Sequence, residues 1–300
     1  MTHCVLMGDP THFSVIGGAN PHTRDRYGRR KRVDRQLAIQ QWRRLHDLLL
    51  DHALQIEVIP PDAALPGLVY PANAGFRLGQ DFILSHLTPT RAGEQAVYRR
   101  VVEALGLRGH QIQSRFEGEA DLFPAGDLYL FTHGRIQQQR FVPRLGWPPW
   151  RRIYGFRSEP VALDEIEAIH PLGRSVLQVL LRDERYYHGD TCLCSFGPER
   201  KALLAYLPAL SPHSAEALYR AFSERLIPLE ASDAAIYAAN SFAFERGAES
   251  FLVMPDGISA RLEESVRAQD TRVLKVDVSE FHKKGGGSVK CMLGDLGELP

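Results

Sequence analysis

The chain has 300 residues, 44% hydrophobic and 24% charged, the make-up of a globular protein with enough apolar side chains for a sizeable core. Lysine plus arginine and aspartate plus glutamate balance at 36 each, so no net field points to nucleic acid or an acidic membrane surface. The start, Met1 to Asp9, turns polar too soon for a signal peptide, no apolar run reaches bilayer length, and four cysteines, two of them separated only by Leu193, make no disulfide framework; together these imply a reducing, cytoplasmic setting.

In chain order, Val5 to Met7 reads as a first strand, followed by turn-rich sequence through Gly17-Gly18-Ala19-Asn20-Pro21. The basic run Arg24 to Arg32 could meet RNA or phosphate, although a solvated loop suits the balanced total charge better. Arg35 to Leu50 carries apolar residues at helical spacing. Strands are expected at Leu54 to Ile59, Leu68 to Ala72, Asp81 to Ser85 and Gln111 to Phe116, with a helix from Arg91 through Leu105. Asp127 to Phe131 completes a hairpin. The passage Gly134 to Trp150, with Pro148-Pro149 between tryptophans, reads as an irregular insertion that could serve as a lid, a dimer contact or a covering loop.

Further on, Leu163 to His170 reads as a helix and Ser175 to Leu180 as a strand. A helix from Ser214 to Arg225, a strand at Leu226 to Leu229, a helix around Ser259 to Ala268 and a strand at Val273 to Val276 follow. The pattern is a repeating strand, helix, strand. Val69-Tyr70-Pro71-Ala72-Asn73 and Ile236-Tyr237-Ala238-Ala239-Asn240, each preceding an apolar strand, echo one another, as repeated supersecondary units do. No Ser-, Pro- or charge-rich linker divides the chain, so residues 1–300 read as one domain with an insertion at about 134–150.

Three short stretches carry the chemistry. Phe116 to Phe123 (FEGEADLF) is acidic, with Glu117, Glu119 and Asp121 as rival functional carboxylates. In Tyr186 to Cys194 (YYHGDTCLC), His188 and Asp190 are two apart, and on a strand both would project to one side. In Lys283 to Met292, glycines precede Cys291 and an apolar segment that would fix the sulfur as a strand, while the neighbouring lysines favour thiolate over thiol. A buried structural cysteine after a turn is the plain alternative. A thiol, an imidazole and carboxylates gathered from distant parts of a chain form a nucleophile, a base and its orienter. A zinc site at His188, Cys192 and Cys194 lacks a fourth ligand at suitable spacing, and the two cysteines fit better as core residues of a strand.

In this order and spacing, FEGEADLF, YHGDTCLC and GGGSVKCM resemble the signatures of the guanidine-modifying superfamily, which includes arginine deiminases, dimethylarginine dimethylaminohydrolases, arginine dihydrolases and amidinotransferases. The resemblance covers nearly the whole length. It implies an α/β fold, a five-bladed propeller (pentein) of ββαβ units with the active site in the axial channel, and a hydrolase of guanidino C–N bonds that works without cofactor or metal. Its partner would be a small guanidino molecule, with no nucleic acid or membrane, and a homo-oligomer is compatible. Cys291 would attack the guanidino carbon, His188 would protonate the leaving group and then activate water, and Glu117 would hold the imidazole.

Asp190 would accept hydrogen bonds from the guanidinium. Arg91 and Arg157 are candidates for a substrate carboxylate, Arg135 competing with Arg157, and Asn20 for the amino-acid end. Asn73 stands where deiminases usually offer a carboxylate and tilts the reading towards the dihydrolase type; a turn asparagine beside glycine is the plain alternative. An amidinotransferase would use the same residues with an amine in place of water.

Overall fold

The computed structural model describes residues 2–16, 20–25, 27–147 and 149–299. The expected turn over 17–19, Arg26 of the basic run and Pro148 of the insertion lie outside the described residues. Among the described residues no helix is long and apolar enough to cross a membrane.

Five three-stranded sheets share one plan, a central strand paired antiparallel on one side and parallel on the other. The second to fifth follow one another along the chain. Gly75–Leu78, Asp81–Leu84 and Arg108–Gln111 form one; Leu122–Ala125, Leu128–His133 and Ser175–Leu180 the next. Leu193–Phe196, Ala202–Ala205 and Leu226–Pro228 then precede Phe242–Arg246, Glu249–Pro255 and Thr271–Val276. The remaining sheet joins the ends of the chain: His3–Gly8 pairs parallel with Gln55–Ile59 and antiparallel with Gly294–Glu298. A helix makes each parallel crossover, because parallel neighbours need a long return connection.

These crossover helices follow from local sequence. Arg35–Asp51 buries Ala38, Gln41, Leu45 and Leu49, one face at three- and four-residue spacing, and the Asp34 side chain caps it by accepting from the Leu37 N–H at 3.1 Å. Ser211 caps Pro212–Phe222 through the Ser214 N–H and Ser259 caps Ala260–Arg267 through the Leu262 N–H.

A tight turn precedes the antiparallel edge strand of each of the five sheets: Pro71–Asn73, Gly118–Ala120, Gly189–Thr191, the turn over 237–240, and Lys290–Met292. The first touches the second and the last, and the second touches the third. Asn240 bonds to both remaining neighbours, donating to the Asp190 carbonyl and accepting from the Cys291 N–H. The five turns thus close a ring.

Three expectations need correction. Leu68 to Ala72 is a pair of short helical turns, because Pro66 and Pro71 lack the N–H a ladder needs; the strand comes later, at Gly75–Leu78. The strand expected over Gln111 to Phe116 lies at Arg108–Gln111, since the N–H groups of Gln113, Ser114 and Arg115 go to the carboxylates of Glu165 and Glu159. The insertion is not irregular throughout: Arg140–Pro143 pairs antiparallel with Trp150–Ile153.

Packing between turns yields a test. Gly118 has φ +69°, and a Cβ there would lie 2.6 Å from the Gly75 carbonyl oxygen and 2.8 Å from that of Ala72. Gly247 has φ +61° with open space around it. Gly118→Ala is expected to destabilise by about 3 kcal/mol and Gly247→Ala by about 1 kcal/mol, read as shifts in urea midpoint. Equal shifts would mean that the turns do not pack as described.

Candidate active site

The ring of turns brings the three chemical stretches together. Cys291, His188, Glu117, Asn73, Arg91, Arg157 and Asn20 all line one cavity of about 380 Å³. Asp190 is not on that wall; it meets the sulfur, whose thiol donates to Oδ2 at 3.4 Å.

His188 precedes the Gly189–Thr191 turn in extended conformation, so the histidine–aspartate pair sits on a turn and not, as expected, on a strand. The Gly189 N–H donates to Asp121 Oδ1 at 3.0 Å, and a Cβ at 189 would meet Thr132 at 2.4 Å, so the close approach requires glycine. His188 Nε2 bonds Glu117 Oε2 at 2.8 Å, while Nδ1 is buried with no partner among the described residues. The other oxygen of Glu117 accepts from the Thr88 N–H at 3.1 Å, and its own N–H donates to Ser158 Oγ at 3.1 Å.

The three carboxylates of the acidic stretch divide. Glu117 faces the cavity and the imidazole. Asp121 is an internal brace that accepts from Thr132 Oγ1 and Ser158 Oγ, both at 2.6 Å, and from Gly189. Glu119 takes the Lys290 ammonium at 2.6 Å and the Asp295 N–H.

Burial opposes charge on Glu117, but the hydrogen bond and charge of His188, with help from Arg157 and Arg91, bring it down to about 2. Burial likewise opposes the imidazolium, yet Asp121, Glu117 and Asp190 outweigh it and His188 moves up. The pair therefore rests as imidazolium and carboxylate. Asp190 is raised to about 6, by burial first; the charges of His188 and Lys290 offset this in part, and its Oδ1 is buried with no partner among the described residues.

Cys291 lies in the Lys290–Met292 turn, and the following strand begins only at Gly294. Its thiol is pushed well above the ordinary range by burial and by the Asp190 carboxylate, the Asn240 amide acting in the opposite direction. The expected activation by lysines does not occur. Lys290 is spent on Glu119 and the Leu293 carbonyl, and Lys284 reaches the Arg32 carbonyl at 3.0 Å.

Asn73 accepts from Arg91 Nη1 at 2.7 Å, and the rest of that guanidinium grips Glu94 and the Gly67 carbonyl, so the fork a carboxylate would need is engaged. Arg157 donates to the Tyr154 and Gly155 carbonyls with its guanidinium 5.2 Å from the Tyr187 ring centre. Arg135, its rival, is not on the cavity wall. Asn20 donates to the Gly285 carbonyl at 2.8 Å and to the Tyr187 hydroxyl at 3.1 Å. Cys192 and Cys194 are buried free thiols, Cys194 on a strand, and among the described residues no group of three or more His, Cys, Asp or Glu is arranged to hold a metal ion.

Sequence reasoning missed Asn240, although the echo of 69–73 in 236–240 was visible. Its Oδ1 accepts from the N–H groups of Ser288 at 2.8 Å and Cys291 at 3.1 Å. Tyr187 and Tyr70, two aromatic walls of the cavity, carried no signal beyond standing beside chosen residues.

No protein-family model matches the chain. The bifunctional arginine dihydrolase/ornithine cyclodeaminase AgrE of Nostoc sp. is 32% identical over 297 residues, covering 96% of this chain and 37% of AgrE. The N(G),N(G)-dimethylarginine dimethylaminohydrolase of Mycobacterium tuberculosis is 31% identical over 292 residues, covering 97% of this chain and 84% of that protein. The chain belongs to the guanidine-modifying superfamily. Within that superfamily, the N-terminal domain of the arginine dihydrolase ArgZ has been solved with substrate and, in another variant, covalently bonded to a reaction intermediate. Both superpose with TM-score 0.82 over 99% of this chain, at 25% and 26% identity, and match 98% and 100% of the solved domain. The chain spans just over a third of the length of the bifunctional relatives.

The thiol's electrostatics yield a test on the free protein. Iodoacetamide should modify Cys291 slowly at neutral pH, with a midpoint higher than that of an ordinary exposed thiol, because burial and Asp190 favour the protonated form. Asp190→Asn removes the like charge and should lower the midpoint, as followed by mass analysis of the Cys291 peptide. A midpoint unmoved by Asp190→Asn would refute the coupling.

Proposed function

We propose that this chain is a cysteine-dependent hydrolase of guanidino groups that acts on arginine or a close derivative through a covalent amidino-enzyme on Cys291. The single observation that carries the reading is the meeting of one thiol, one imidazole and Glu117 on one cavity wall, with Asp190 against the sulfur. The relatives and the solved covalent intermediate of ArgZ support it. The five similar sheets and the ring of turns support a five-bladed propeller of ββαβ units, one domain over 1–300, with the cavity as its axial channel. A cytoplasmic location suits the free thiols.

A guanidinium is a planar, resonance-stabilised cation, and its recognition needs acceptors in its plane. Asp190 would supply one, its unpartnered Oδ1 included, and Asn73, held by Arg91, another. Arg157 and Asn20 would take the amino-acid end. Bringing a cation beside Cys291 and Asp190 reverses the field that keeps the thiol protonated, so the thiol gives up its proton to solvent as the substrate arrives.

The thiolate then bonds to the guanidino carbon. His188, an imidazolium held by Glu117, gives its proton to the departing nitrogen, and the C–N bond breaks to release ammonia and leave the thiouronium. The neutral imidazole next takes a proton from water, whose oxygen bonds to the same carbon, and the C–S bond breaks to give citrulline.

A second passage, in which citrulline meets the thiolate that C–S cleavage has just left on Cys291, gives ornithine, carbon dioxide and a second ammonia, for a total of arginine plus two waters. Asn73, a neutral amide, and the dihydrolase relatives favour this longer course. The alternative is amidino transfer, in which an amine replaces water at the thiouronium.

Incubation with arginine followed by mass analysis of products separates these outcomes. Ornithine with two ammonia per turnover is expected. Citrulline alone would mean a deiminase, citrulline with dimethylamine from the methylated substrate the demethylating type, and a guanidino product on added glycine a transferase. Cys291→Ser should lower turnover about a thousandfold or more. Full activity in that variant would end the proposal.

A further inference from the structure

Two stretches without a task in this chemistry, the basic loop after Asn20 and the insertion before Tyr154, face each other across a second cavity of about 550 Å³, a size typical of small-molecule sites. Its wall carries Arg24, Arg151 and Arg152 beside Phe141, Trp147 and Trp150.

The wall sets three guanidinium groups against one carboxylate, and none of the three forms an ion pair among the described residues. Arg24 Nη1 donates to the Gly28 carbonyl and Arg152 Nη2 to Gln139 Oε1, both neutral acceptors at 2.8 Å. Each of these two side chains also keeps a buried Nε–H with no acceptor among the described residues. The wall's acidic residue, Asp25, is occupied by its own loop, its Oδ1 accepting from the N–H groups of Tyr27 at 2.8 Å and Arg29 at 2.9 Å. Buried or half-buried guanidinium groups without counter-charge favour an anion strongly.

The aromatic part is equally open. Trp147 is 84% and Phe141 60% exposed, the Arg152 guanidinium lies 5.5 Å from the Phe141 ring centre, and the Trp147 and Trp150 rings are 6.4 Å apart. A planar ring can stack there while an attached anion reaches the arginines. A second copy of the chain is a poorer occupant, because a two-fold contact would set this positive wall against itself.

We propose that this cavity is a second ligand site that takes a nucleoside phosphate, the base on the Phe141, Trp147 and Trp150 surface and the phosphate on Arg24, Arg151 and Arg152. The assignment is independent of the chemistry at Cys291.

The chain has three tryptophans, two of them here, so intrinsic fluorescence reads the site directly. AMP titrated into the whole protein should quench it saturably, with adenosine and inorganic phosphate each requiring about tenfold more or worse. Arg24→Gln with Arg152→Gln should raise the AMP midpoint about tenfold. Trp147→Ala, at an exposed position that leaves the fold intact, should weaken AMP by a similar factor when read by calorimetry. Absence of saturable AMP quenching, equal midpoints for AMP and adenosine, or AMP-insensitive self-association that buries Trp147 would overturn the proposal.

Discussion

Much of this structure depends on one buried amide, that of Asn240. The 288–291 segment carries N–H groups that belong to no strand ladder, and burying them unpaired would cost on the order of 1–3 kcal/mol each. Asn240 Oδ1 takes two of them, from Ser288 and Cys291, its carbonyl takes the Lys290 N–H, and its Nδ2 gives to the Asp190 carbonyl. One side chain therefore fixes the backbone under the sulfur and the backbone under the carboxylate that meets it. The distance between Cys291 and Asp190 is set through Asn240, not by either residue alone.

With that geometry held, electrostatics decides what the cavity can receive. The turns bury carboxylates that are compensated to different degrees. Glu117 has the imidazolium, and Asp121 has three hydrogen-bond donors. Glu119 has Lys290, yet burial first, and then the Asp295 charge, hold it up at about 7. Asp190 has the thiol and one unpaired oxygen. The shortage of positive charge is thus concentrated beside Cys291, where a cation would complete Asp190 and release the thiol's proton together. A neutral molecule that met the resting, protonated thiol would do neither.

What the sequence made legible was chemistry confined to short runs. Glu117, His188, Asp190 and Cys291 stand in compact motifs of suggestive residue types; the cavity gathers three of them, and Asp190 meets the sulfur from outside its wall. The Pro71-Ala72-Asn73 echo also proved structural: in both turns the asparagine N–H returns to the tyrosine carbonyl three residues earlier, at 3.3 Å for Asn73 and 2.9 Å for Asn240. What stayed hidden rests on contacts far apart in the chain. Nothing near Arg91 says that Glu94 and Asn73 will engage its guanidinium, and nothing near Lys290 says that Glu119, 171 residues away, will take its charge. Local propensity also misplaced the strand near Gln111, because two glutamates from another unit captured its backbone.

The position of Cys291 in the chain has its own consequence. Cys291 occupies the turn before the last strand, and that strand has no sheet until it pairs with His3–Gly8. Asp295 on the closing strand bonds His3 at 2.6 Å and Arg200 at 3.1 Å, and its N–H reaches Glu119, the same carboxylate that holds Lys290 beside the sulfur. Pairing of the Gly294–Glu298 strand with His3–Gly8 and placement of the Cys291 turn are therefore coupled through Glu119. The turn has two anchors, this seam and Asn240, and opening the seam would leave the sulfur on the Asn240 bonds alone.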